Sequence, residues 1–190
     1  MNGRWGWRSP RRVGRVGLVA ASVLALSSCI SLASTASDGT QVNADAENPS
    51  ISADGRFVAF DSKASNLIPG DELSSYDVFV KDFSTGTTTA IKSSTAQNEF
   101  VFPPAPVISG DGGRVAFIAD GDLVPQDTND NPDVYSEDLS TGALQLVNTS
   151  SSGQQAVGAT IGPVSVSSDG LLAAAARVDQ IGRASCRERV

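Results

Sequence analysis

The residues best placed to do chemistry lie in the stretch Asp127-Thr128-Asn129-Asp130-Asn131-Pro132-Asp133. Carboxylates and amides at alternate positions suit a hard cation such as Ca²⁺, because a loop curling around it turns every other side-chain oxygen inward. Asp127, Asn129, Asn131 and Asp133 are the candidate ligands. Pro132 stands where a helix-loop-helix calcium loop needs Gly, and Asp138 stands where that loop closes on a bidentate Glu, so this is not such a loop. The competing reading is that these Asp and Asn side chains satisfy the backbone of an exposed turn. The stretch Asp71 to Asp77 matches it but keeps only the outer aspartates. Three further carboxylates, Asp54, Asp111 and Asp169, precede Gly55, Gly112 and Gly170. Their recurrence before Gly fits turn chemistry far better than acid-base catalysis.

Enzyme signatures are otherwise missing. The sequence has no His, the commonest general base, and no G-x-S-x-G elbow or phosphate-cradling Gly-rich loop. Cys29 has a different chemistry. It ends Leu26-Ser27-Ser28-Cys29, directly after the apolar run Val16 to Leu26 and an n-region carrying Arg4, Arg8, Arg11, Arg12 and Arg15. That run is too short for a stable transmembrane span and reads as an export signal. The four residues resemble the lipobox of bacterial lipoproteins, in which the Cys thiol carries diacylglycerol. The alternative is simple secretion, with cleavage after Ala33 or Ala36.

What must position these residues is a tandem array. PSISADGRFVAF (Pro49 to Phe60) recurs as APVISGDGGRVAF (Ala105 to Phe117) and begins again as GPVSVSSDGLLAA (Gly162 to Ala174). DVFVKDFSTGTTTAI (Asp77 to Ile91) recurs as DVYSEDLSTGALQLV (Asp133 to Val147). The period is roughly 57 residues, and each unit must stack on its neighbours to bury its apolar face. Within a unit, a short alternating segment, an S-x-D-G turn and a return through Phe57 to Phe60 read as a hairpin. A long polar loop, a β-branched and aromatic strand from Asp77, an S-T-G turn and a last strand, Thr87 to Ile91, complete it. No repeat shows helical periodicity. The expectation is all-β: four-stranded antiparallel blades of a β-propeller, in about two and a half repeats. Phe57, Phe60, Phe79 and Phe117 should fill the space between blades.

The two phrases P-x-h-S-x-D-G-x-x-h-A-F, where h is apolar, and D-V-[FY]-x-x-D-x-x-T-G resemble the TolB-type propeller repeat of bacterial envelope and secreted proteins. The resemblance covers most of the chain between Asn43 and Arg177. It implies architecture, since such blades serve as docking modules, as gates on peptidase domains and in other surface proteins.

The domain reading is a lipoprotein-type signal peptide over 1–28, a linker over 29–42, propeller repeats over 43–180 and a separate tail over 181–190. The tail IGRASCRERV is the translation of a common sequencing-adapter string, which marks it as foreign to an acidic, Ser/Thr/Val-rich chain. On this reading the chain is a fragment of a longer protein. The formal charge is −7. Without signal and tail, only Arg56, Lys63, Lys81, Lys92, Arg114 and Arg177 remain as basic residues, so the domain is more acidic still. Such a field repels nucleic acid.

The expected function is a non-catalytic binding or protein-docking module at the bacterial cell envelope, held to the membrane through Cys29, with a protein partner and no nucleic acid. Its place would be the outer face of the cytoplasmic membrane, the periplasm or the cell surface. No cofactor is expected beyond the possibility of Ca²⁺. The alternatives are the N-terminal propeller of a larger exported hydrolase or peptidase, and a calcium-stabilised adhesion protein.

Overall fold

The computed structural model describes residues 31–71, 75–91, 103–129, 131–158, 160, 162–175 and 186–189. All of its strands belong to the unit Leu32–Val190.

Blade 1 is a sheet of order β1-β2-β3-β4: β1 (Ala46–Ile51), β2 (Phe57–Ser62), β3 (Asp77–Asp82) and β4 (Thr88–Ala90). Blade 2 repeats that order with β5 (Val107–Ile108), β6 (Arg114–Ala119), β7 (Asp133–Asp138) and β8 (Ala143–Leu146). Blade 3 holds β9 (Val164–Val166), β10 (Leu172–Ala175) and β11 (Cys186–Arg189), with β10 in the middle. Every pairing is antiparallel, and no helix occurs among the described residues. The chain is an incomplete β-propeller array, as the repeat predicts. The backbone of Cys186–Arg189, within the tail expected to stand apart, pairs with β10.

Period-two alternation sends one set of side chains to each face of a blade. Phe60 and Phe79 lie opposite each other in the β2–β3 register and stack at 5.7 Å on one face. Their counterparts Phe117 and Tyr135 stack at 6.0 Å on the same face of blade 2. There they meet Ala59, Val78, Val80 and Ile91 from the opposite face of blade 1, and this forms the largest apolar core. Phe79, Val78, Val115, Phe117, Val134 and Tyr135 are fully buried, and each such side chain contributes roughly 1.5–3 kcal/mol of transfer free energy. Ala116, Val134 and Val147 carry the stack on to Val164 of blade 3.

The S-x-D-G turns lock one blade to the next. Ser52 Oγ donates to Asp54 Oδ1 (2.6 Å), which also accepts the Arg56 N–H (3.0 Å), while Ser52 Oγ accepts the Phe57 N–H (3.0 Å). Ser109, Asp111, Gly113 and Arg114 repeat these bonds, and Ser167, Asp169 and Leu171 repeat the first two. Across blades, the Ala53 N–H donates to the Gly110 carbonyl (2.8 Å) and the Asp111 N–H to the Ser168 carbonyl (2.7 Å). Gly112 has φ +73°, and a Cβ there would lie 2.5 Å from Cδ2 of Phe57 in the preceding blade. Only Gly meets both demands.

Within 29–42, expected as a linker, residues 33–42 lie against blade 1. Ala33 and Val42 pack against the cluster of Phe60, Phe79 and Leu67. Lys81, buried in β3, donates to the carbonyls of Thr35 (3.3 Å), Ala36 (3.1 Å) and Gly86 (2.8 Å) and to Thr88 Oγ1 (3.1 Å). Burial pushes the pKa of its ammonium down.

Candidate functional site

The loop that follows β6 and the first residue of β7 bring Asp127 and Asp133 to one end of blade 2, where they are 4% and 0% exposed. The connection leaving β8 crosses the same end and adds Asn148, Gln155 and Thr160. Backbone donors set the orientation of both amides. Asn148 Oδ1 accepts the Val134 N–H (3.0 Å), so its Nδ2 donates to Asp133 Oδ1 and to Thr160 Oγ1 (3.3 Å). Gln155 Oε1 accepts the Thr128 N–H (3.0 Å) and hydroxyl (3.2 Å), so its Nε2 donates to Asp127 Oδ1 (2.5 Å) and Asp133 Oδ2 (2.7 Å). The Tyr135 hydroxyl donates to Asp127 Oδ2 and lies 2.8 Å from the Gly121 carbonyl oxygen.

Of the four candidate calcium ligands, Asp127 and Asp133 therefore converge, bridged by one amide. Asn129 and Asn131 chiefly serve the backbone, and the Asn129 side chain also interacts with Asp133. Asn129 Oδ1 accepts the Asn131 N–H (2.9 Å) and its Nδ2 donates to the Ala156 carbonyl (2.9 Å), while Asn131 Nδ2 donates to the Asn129 carbonyl (3.0 Å). All four oxygens of the aspartate pair meet N–H or O–H donors. A hard cation seeks oxygen lone pairs, and here Gln155 presents nitrogen. Turning that amide around would break both bonds from Thr128. No group of three or more Asp, Glu, His or Cys placed to hold a metal occurs among the described residues.

Burial pushes the Asp133 pKa up, against the pull of the amide donors, and burial together with the Asp127 carboxylate pushes the Tyr135 phenol up. In blade 1 the corresponding Asp77 is raised to about 7 by burial and by the neighbouring charge of Asp71. Glu137, on β7 facing blade 1, is likewise raised to about 7 by burial and then by Asp138.

A third buried carboxylate marks the junction of blades 1 and 2. Asp61 is 0% exposed where blade 2 has Ile118, and its Oδ2 accepts from Asn48 Nδ2 (2.9 Å) and the Ala105 N–H (3.1 Å). Both donors belong to residues of positive φ, 47° at Asn48 and 46° at Ala105. Asn48 sits in the register shift of β1, a bulge that bends the strand.

The six turn residues Asp54, Gly55, Asp111, Gly112, Asp169 and Gly170 lie in the hairpins at the opposite end. There Arg56–Asp82 (2.8 Å) and Arg114–Asp138 (3.3 Å) form equivalent ion pairs, and the Asp82 and Asp138 pKa values fall through their hydrogen bonds. Cys29 lies outside the described residues. The residues missed by sequence reasoning are Tyr135, Asn148, Gln155 and Thr160. One signal was present: Tyr135 replaces the Phe79 of blade 1, adding a hydroxyl to a buried position.

No protein-family description matches the chain, and no curated protein matches it. Among solved structures, TolB from Acinetobacter baumannii aligns at 22% identity and TM-score 0.46, over 74% of this chain and 28% of its own. The β-propeller domain of the Trilobed protease from Pyrococcus furiosus aligns at 15% and 0.44, over 70% and 34%. An acylaminoacyl peptidase from Pyrococcus horikoshii aligns at 17% and 0.42, over 70% and 17%. The chain thus spans about a third or less of the length of each. Among the described residues, no helix is long and apolar enough to cross a membrane.

Proposed function

We propose that this chain is part of an exported, lipid-anchored β-propeller that works as a non-catalytic binding or docking module at the bacterial cell envelope. The observation that supports it best is how the polar cluster around Asp127 and Asp133 is used. Tyr135, Gln155 and Asn148 engage the buried oxygens of Asp127 and Asp133, so these groups hold two connections together and present no free base. A general base must reach a substrate proton, and a cation site must offer open oxygens. What is left for function is the blades' own surface, acidic overall and framed by rigid turns. The absence of His supports the same reading.

Cell fractionation of the bacterium expressing the chain, with Cys29→Ser beside it, tests the anchor and the address together. The expected result is membrane-bound, acyl-labelled protein for the parent and loss of label for the variant. Recovery of the parent in the cytoplasm would overturn the proposal. Sequencing the source locus past codon 180 tests the non-catalytic part: a reading frame that enters a domain with a catalytic constellation would replace it.

A further inference from the structure

Between blades 1 and 2, at the end that carries the hairpin turns, lies a groove of about 290 Å³ lined by Phe57, Val80, Thr87, Thr89, Glu137 and Leu139. Val80 is buried in the core between the blades, Phe57 and Leu139 pack against that core, and Thr87 and Thr89 are exposed on the blade 1 side. Two carboxylates border the groove, Asp82 and Glu137. Arg56 neutralises Asp82 at 2.8 Å, and Arg114 pairs with the adjoining Asp138 at 3.3 Å. Glu137 has no such mate. Among the described residues no ion pair or hydrogen bond reaches its half-buried carboxylate, and the charge beside it, on Asp138, has the same sign.

The same position of blade 1 carries a cation of the chain's own. Strand β7 repeats β3, so Glu137 is the counterpart of Lys81. Lys81 is buried, and its ammonium finds four oxygens: the Gly86 carbonyl and Thr88 Oγ1 of its own blade, and the Thr35 and Ala36 carbonyls of the segment packed on it. In blade 2 the charge is reversed. The register partner also changes, since Lys81 lies opposite Thr88 whereas Glu137 lies opposite Leu144, which offers no polar atom on its side chain. Where Lys81 fills its site from within, Glu137 leaves a groove with an apolar wall and an unmatched negative charge. A carboxylate out of water is costly until a cation and its hydrogen bonds replace the lost solvent.

We propose that this groove is a docking site for a lysine side chain of a partner protein, its stem lying along Phe57, Val80 and Leu139 and its ammonium meeting the Glu137 carboxylate. This rests on the reading of the chain as a docking module and names the chemistry of what docks. A long aliphatic side chain with a charged tip matches such a surface, because the stem covers apolar wall while the tip reaches the acid. The net charge of −7 draws a basic partner in, and the cost of leaving Glu137 unmatched rejects an uncharged side chain of equal length.

The test titrates the isotope-labelled full chain, in mild detergent, with the peptide acetyl-Gly-Lys-Gly-amide and with the same peptide carrying norleucine for lysine. Amide spectra are followed at pH 6 and pH 8 for the parent, Glu137→Gln and Glu47→Gln, the last removing an exposed carboxylate of β1 as a control for general attraction. The expected result is saturable movement of the Phe57, Thr89 and Leu139 signals by the lysine peptide, in the parent and in Glu47→Gln. Glu137 titrates near 7, so its ionised fraction, and with it the affinity, should rise about ten-fold from pH 6 to pH 8. Asp82 and Asp138, paired with Arg56 and Arg114, have lowered pKa values and stay ionised across that range. Glu137→Gln should abolish both the movement and its pH dependence, and its spectrum reports directly that it folds. Equal binding of the norleucine peptide to the parent, a lysine titration that survives Glu137→Gln, or no saturable movement in the parent would each overturn the assignment of the groove. The fractionation and locus experiments decide the docking reading separately.

Discussion

Gly112→Ala is the substitution that most directly tests how the blades are joined. Two costs are separable at this position. An L-residue held at φ +73° loses about 1–2 kcal/mol of backbone energy, offset in part by the 0.4–1 kcal/mol that Ala saves in unfolded-chain entropy. The new methyl must also displace the Phe57 ring, which its Cβ would approach to 2.5 Å. Forcing a group into a packed site typically costs about 1–3 kcal/mol. Gly55 supplies the control, because its φ is +72° and a Cβ there meets nothing within 4 Å. Gly55→Ala should therefore cost roughly 1 kcal/mol and Gly112→Ala roughly 2–4 kcal/mol. With a urea slope of about 1–3 kcal/mol/M for a small domain, the two midpoints should differ by on the order of 1 M. Phe57→Ala in the Gly112→Ala background should recover part of the difference. Equal losses for the two glycine variants, in urea titrations followed by circular dichroism, would refute the claim that the turn glycine is a packing element between blades.

Other consequences concern the polar groups. Glu137 and Asp77 both have folded pKa values near 7, above their unfolded values, so the folded state holds extra protons between about pH 4.5 and 7 and stability should fall as pH rises through that window. The urea midpoint should be higher at pH 5 than at pH 7.5, and Glu137→Gln should flatten that dependence; an unchanged slope in the variant would show that Glu137 is not responsible. Tyr135→Phe restores the blade 1 residue but strips a donor from buried Asp127, and should lower stability by about 1–3 kcal/mol in the same titration. Gln155→Glu places a third carboxylate between Asp127 and Asp133, so the variant should melt lower than the parent and regain stability in millimolar calcium, while the parent melts alike with calcium or chelator.

The fold was legible because its signals are local. Ser52, Asp54 and Gly55 make their turn from neighbouring backbone, and the alternation of Val58 and Phe60 with Ala59 assigns faces without knowledge of any partner. The polar cluster was legible only in its aspartates. Gln155 lies 28 residues from Asp127, and its role comes from an orientation that Thr128 imposes. The segment at 33–42 carries Thr35, Ser37, Gly39 and Gln41 where 147–156 carries Thr149, Ser151, Gly153 and Gln155, a T-x-S-x-G-x-Q pattern legible in the sequence, and the two also share main-chain bonds.

The bonds that run from turn to turn, Ala53 to Gly110 and Asp111 to Ser168, have a bearing on how such a chain can grow. Donor and acceptor in each are peptide groups, so a blade is met by its neighbour through atoms that every repeat possesses. A duplicated segment inserted in the gene arrives with this main-chain part of its joint already made, while the fit of Gly112 against Phe57 and the apolar core between blades must be kept by the side chains. Copy number can then change in one genetic step, while the side chains outside those contacts remain free to drift toward separate roles.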